Sequence, residues 1–136
     1  MAVNGQVVGS IGSGLVLFVG VGPADDETAA DGLARRITEL RIFRDADGRT
    51  NSSLVDVGGA VLLVSQFTLF ADTRRGRRPG FTGAAPPEQA ERLYGRVAAA
   101  LRDRGVEVAT GRFGAEMAVN LTNDCPFTIW LDTDDR

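Results

Sequence analysis

The ten residues V-L-L-V-S-Q-F-T-L-F, from Val61 to Phe70, decide how the whole chain is read. An apolar, β-branched run passes without a break into Ser65, Gln66 and Thr68, which predicts a central strand whose far end carries polar groups to a surface. Most serines and threonines in strands are packing partners, and position in a fold does not by itself prove a role. A second stretch, N-D-C-P-F-T from Asn123 to Thr128, supplies the counterpart: a polar turn in which Cys125 precedes Pro126.

Working outward towards the N-terminus, Gly14 to Gly22 reads as a buried strand ending in glycines, and Asn4-Gly5 between β-formers gives a hairpin whose first arm is only a stub. Pro23 and the acidic Asp25, Asp26 and Glu27 open a helix to about Arg41, with acids at the positive end of its dipole and Leu33, Ile37 and Leu40 as its apolar stripe. Arg44 to Asn51 is rich in turn formers. Its Asp45, Asp47 and Gly48 lack the remaining ligands and the closing glutamate of a calcium loop.

Towards the C-terminus, Ala71 to Ala85 is a long loop rich in arginine and glycine, of a length usually reserved for function or mobility. Pro86 and Pro87 start a helix to about Arg104, with Ala90, Leu93, Val97 and Leu101 inward and Gly105 past its end. Val106 to Thr110, Ala115 to Leu121 and Phe127 to Asp132 read as strands. The pattern predicts one α+β domain over residues 1–136, with a mostly antiparallel sheet or partial barrel and two main helices.

Composition narrows the chemistry. At 136 residues and 43% hydrophobic, the chain is long enough for one real core, and its apolar runs are too short to span a membrane. The first residues show neither a basic region nor an apolar core of a leader, so a cytoplasmic location is expected. Histidine is absent and Cys125 is the single cysteine, which removes disulfides, Ser-His-Asp and Cys-His triads and the usual zinc sites; no metal or other cofactor is expected. The net charge of −3 argues against a uniformly basic surface, yet all 15 cationic residues are arginine and Arg74, Arg75, Arg77 and Arg78 follow the polar strand end. An arginine fork suits phosphate, and an arginine-only inventory equally suits a GC-rich genome.

With S-Q-F-T-L at Ser65 to Leu69, G-R-R-P at Gly76 to Pro79, T-G-R-F-G-A-E-M at Thr110 to Met117 and N-D-C-P-F-T at Asn123 to Thr128, the sequence closely resembles the D-aminoacyl-tRNA deacylase family from Val3 onward. The resemblance implies a homodimer, with sites at its interface, that hydrolyses the ester between a D-amino acid or glycine and the terminal adenosine of tRNA. It implies that the tRNA's own 2′-hydroxyl assists, so no triad is needed. Ser65, Gln66, Phe67 and Thr68 then form the catalytic strand end, with the Phe67 and Thr68 amides as oxyanion donors. Phe113, Gly114 and Met117 line the adenosine pocket.

Two departures stand out. The family carries Gly-Pro, with a cis bond, where this chain has Cys125-Pro126, and that pair reaches the partner's pocket to exclude L-amino acids. The family also has a further strand ahead of Met1, with an arginine that fixes this turn, so either the native start lies upstream or a sheet edge is left unpaired. Three functions follow: the tRNA-ester hydrolase, a relative that binds aminoacyl-tRNA or other RNA without turnover, and a small-ester or thioester hydrolase using Cys125.

Overall fold

The strand predicted at Val61 is β6, Ala60–Ser65, and it forms the middle of the molecule. The computed structural model describes residues 1–134. Ahead of β6 come β1 (Ala2–Val3), β2 (Gln6–Val7), β3 (Gly14–Val19), α1 (Glu27–Glu39), β4 (Phe43–Arg44), β5 (Thr50–Ser52) and α2 (Leu54–Val57). A 3-10 turn over Phe67–Phe70, α3 (Pro87–Asp103) and β7 (Val108–Thr110) follow it.

Mixed sheets with three helices make this an α+β fold, as the sequence predicts. The central sheet has the order β3-β6-β7 and both of its ladders are parallel, which corrects the mostly antiparallel reading; no barrel closes among the described residues. The physical reason is connectivity. A helix separates β3 from β6 and another separates β6 from β7, and such long crossovers return the chain to the same end of the sheet. The antiparallel pairs are the short hairpins β1-β2 and β4-β5.

β6 is buried on both faces, which is why it reads as an unbroken apolar run. Val61 and Leu63 face α1 and α3, in a core with Ala34, Ile37, Leu93, Val97 and Leu101. Leu62 and Val64 face the other way, against Met1, Val16, Ala109 and Met117. Each such aliphatic side chain contributes about 1.5–3 kcal/mol through its burial. Tyr94 of α3 reaches the strand itself, its hydroxyl donating to the Leu63 carbonyl at 2.8 Å. Burial raises the pKa of that phenol.

Local signals placed most elements. Asn4 and Gly5 take φ of 50° and 79°, the two positive values a tight hairpin turn needs. Asp26 caps α1, its carboxylate accepting from the Ala29 N–H, and α3 buries Ala90, Leu93, Val97 and Leu101 as its spacing predicts. In α1 the buried face is Ala30, Ala34, Ile37 and Thr38, while Leu33 and Leu40 of the expected stripe are half-buried. Arg44 to Asn51 is a hairpin, and the Asp45 carboxylate accepts from the Asp47 and Arg49 N–H groups as an Asx turn. Those bonds, Arg49's first, hold its pKa below the usual value.

Three expectations are corrected. The strand does not run on to Phe70: β3 ends opposite Ser65 and β7 opposite Leu63, so beyond Ser65 no neighbour remains and the backbone closes on itself as a 3-10 turn. Ala115–Leu121 makes only an isolated bridge, Ala2 to Ala118, and 127–132 forms no strand. Residue 121 and the segment 127–132 line, together with β3 and α1, an open cleft of about 1910 Å³, in which Leu121, Phe127, Ile129 and Trp130 are exposed. The segment pairs with no described strand. Among the described residues no helix is long and apolar enough to cross a membrane.

Candidate active site

Two parallel strands finish side by side, β6 at Ser65 and β7 at Thr110, and in sheets of this kind the carboxyl ends of the strands are where ligands gather. At the first end, the Gln66 N–H makes the last ladder bond, to the Val19 carbonyl at 2.8 Å. Gln66 then turns to φ −140° and ψ 81°, and the 3-10 turn begins. Its internal bonds start with Leu69 donating to the Gln66 carbonyl. The N–H groups of Phe67 and Thr68 open the turn and therefore have no acceptor within it, and no side chain caps them. They are donors presented at a strand end.

The turn is seated by a ring on glycine. A Cβ added at Gly20 would come within 3.0 Å of the Phe70 ring and 3.2 Å of the Gln66 carbonyl, so glycine there lets Phe70 pack closely just past the end of β3. On the outer side Phe67 meets Phe81 edge-to-face, with centroids 5.0 Å apart. The Gln66 amide donates to the Thr68 hydroxyl. No carboxylate bonds that hydroxyl among the described residues, and the chain has no histidine, so nothing there activates Thr68 as a nucleophile.

Thr110 leads directly into the second group. Phe113 packs on the helix side of the sheet against Tyr94, with centroids 6.0 Å apart, and Met117 packs on the opposite side with Met1, Leu62 and Val64. Gly114, at φ 78°, turns the chain between them. Sequence reasoning missed Tyr94, Phe70 and Phe81. The first lay inside an apparent core stripe, and the other two sit in segments whose path follows from tertiary packing.

The structure does not bring Cys125 and Pro126 into contact with Ser65–Thr68. The turn is braced by Asn123, which accepts from the Phe127 N–H at 2.8 Å and donates to the Thr128 hydroxyl at 2.9 Å. Cys125 is exposed and its sulfur accepts from the Arg44 guanidinium at 3.3 Å. Its φ is 101°, a region that favours glycine, and its bond to Pro126 is not cis. Among the described residues no group of three His, Cys, Asp or Glu side chains could hold a metal.

The comparisons with known proteins bear on this geometry. A family model described as D-Tyr-tRNA(Tyr) deacylase matches residues 1–132. Proteins named D-aminoacyl-tRNA deacylase are similar over most of their length: that of Dinoroseobacter shibae is 58% identical over 96% of this chain and 90% of its own, and that of Paracoccus denitrificans is 54% identical over 100% and 91%. A solved structure titled c-Myc DNA Unwinding Element Binding Protein superimposes with a TM-score of 0.90 at 36% identity, covering 96% of this chain and 89% of that one. A structure titled a probable eukaryotic D-amino acid tRNA deacylase shares the fold, with a TM-score of 0.68 at 18% identity over 78% and 77%. With sequence, motifs and backbone agreeing from end to end, the chain belongs to the D-Tyr-tRNA(Tyr) deacylase family.

Proposed function

We propose that this chain, acting as one domain, hydrolyses the ester joining a D-amino acid, or glycine, to the terminal adenosine of tRNA. The observation that carries the reading is the pair of main-chain N–H groups at Phe67 and Thr68, partnerless in their own turn, at the end of a fully buried strand. As the attacking oxygen adds to the ester carbon, charge collects on the carbonyl oxygen, and donors fixed in advance at that point lower the barrier by about 3 kcal/mol each. Ser65 and Gln66 orient the substrate's amino end, Phe113 and Met117 border the adenosine site from the two sides of the adjoining strand end, and the substrate's 2′-hydroxyl takes part in place of a protein base. The exposed Leu121, Phe127, Ile129 and Trp130 support a homodimer, in which Cys125-Pro126 enters the partner's site as the chiral gate. The setting is the cytoplasm.

The test is amino-acid release from D-tyrosyl-, glycyl- and L-tyrosyl-tRNA. Loss of the D-ester with the L-ester intact is the expected result; tRNA binding with every ester preserved would replace hydrolysis by the second reading, binding without turnover. The positive φ of Cys125 is the feature that favours that second reading, because a side chain there strains and crowds the gate. Cys125→Gly is accordingly expected to stabilise the fold by about 1 kcal/mol, the relief of Cβ strain less glycine's entropy in the unfolded chain. Urea unfolding reads this directly. An unchanged midpoint would mean that the turn holds its conformation without strain.

A further inference from the structure

The loop that follows the 3-10 turn is closed at its base. Asp72 and Gly80 exchange backbone hydrogen bonds of 2.7 and 2.9 Å, pinching off the intervening residues as a separate arm. Asp72 also grips Arg74 with both carboxylate oxygens, each at 2.9 Å, and accepts from the Arg74 N–H at 3.0 Å. The arm's acid is thereby used internally. Arg75, Arg77 and Arg78 remain, all exposed, and among the described residues none of them makes a hydrogen bond or an ion pair. Three unspent guanidinium groups within four residues stand on a protein whose net charge is −3. Phe81 leaves the base of the arm and meets the exposed Phe67, so the arm is tied to the residue that supplies one of the proposed donors.

We propose that the arm between Asp72 and Gly80 is a second nucleic-acid contact, in which Arg75, Arg77 and Arg78 hold backbone phosphates of the RNA whose terminal ester lies at Phe67 and Thr68, with Asp72 setting the arm's shape. This rests on the ester-hydrolase reading. Exposed, uncommitted arginines beside an aromatic pair form the usual combination for a strand passing into a site, phosphates on the cations and a base against a ring. The arm gives affinity for the polynucleotide and takes no part in bond cleavage.

The test compares the native chain with Arg75→Ala/Arg77→Ala/Arg78→Ala and with the same triple change to lysine. Three readouts are taken: the salt dependence of uncharged-tRNA binding, kcat/KM on D-tyrosyl-tRNA, and the rate on D-tyrosyl-adenosine, which has no phosphate. Each phosphate contact adds roughly 0.7–0.9 to the slope of log affinity on log salt, so the alanine variant is expected to lose about two from that slope. Its kcat/KM on D-tyrosyl-tRNA is expected to fall roughly 10-fold or more through KM, its rate on D-tyrosyl-adenosine to stay unchanged, and the lysine variant to recover the slope. An unchanged slope with unchanged kcat/KM overturns the arm's role. So does an equal loss on D-tyrosyl-adenosine, because the loop would then serve the chemistry or the fold. A native chain that cleaves neither ester removes the hydrolase reading alone, and the salt slopes still decide the arm.

Discussion

Phe67→Pro is expected to release amino acid about 10²–10³ times more slowly than Phe67→Ala, the loss that follows removal of one oxyanion donor. The pair is chosen so that both variants lack the ring and only one lacks the N–H. Proline is unusually acceptable at this place. Phe67 is the first residue of the 3-10 turn, where the ring's fixed φ suits the backbone and the missing N–H had no partner in the turn. Gln66, the residue before it, sits at φ −140° and ψ 81°, outside the α region that a following proline disfavours. Single-turnover release of D-tyrosine from D-tyrosyl-tRNA measures the difference, with thermal unfolding to confirm that both variants keep the fold. Equal rates in the two would show that the Phe67 amide does not face the reacting carbonyl.

The largest expected effect on stability lies at the other end of the sheet. Gly14 begins β3 at φ 153°, and a Cβ built there would stand 1.8 Å from the Ala60 carbonyl oxygen and 2.7 Å from the Ala60 nitrogen. Both are backbone atoms, and Gly14 and Ala60 are the first pair in the β3-β6 ladder. No rotamer relieves such an overlap. Gly14→Ala must push the two strands apart or rotate a residue out of register, at an expected cost of about 3 kcal/mol or more. A fall in the urea midpoint with an unchanged m-value is the expected result. A variant as stable as the native chain would mean that β3 enters the sheet by another path.

How far the sequence carried the reading depends on the range of the forces involved. The Asn4-Gly5 hairpin, the two long helices and the burial of Val61 to Val64 are local or nearly so, and turn chemistry and periodicity announced them. Strand direction in the central sheet was also written there, because helices separate β3, β6 and β7, although the domain was read as mostly antiparallel. The small helix α2 was missed although Ser53 and Asp56 have the spacing of a capping box, and in the structure each caps the other's N–H. The strands read at 115–121 and 127–132 failed for a different reason. A strand needs a neighbour, and composition says nothing about whether one is present.

The candidate site divides along the same line. Ser65 to Thr68 stand at a strand end, as the change from apolar to polar residues indicated, and Phe113 and Met117 come to the adjoining strand end because T-G-R-F follows β7 directly. The unusual backbone at Cys125 was legible only as a condition, a glycine position filled by a larger residue, and the φ of 101° meets it. Its neighbour Arg44 lies 81 residues away in sequence and could not be read from spacing.

The proposed placement of the reaction on peptide N–H groups also changes what evolution can break. A side-chain catalyst is erased by almost any codon change, whereas a main-chain donor survives every substitution at its own position except proline. Positions 67 and 68 are thus free to explore side chains for substrate fit while the donors themselves are inherited intact. The fragility moves elsewhere, to a silent residue that holds the backbone in place: Gly20, whose missing side chain leaves room for Phe70. Gly20 supplies neither of the proposed donors, and it is there that inherited loss of function would accumulate.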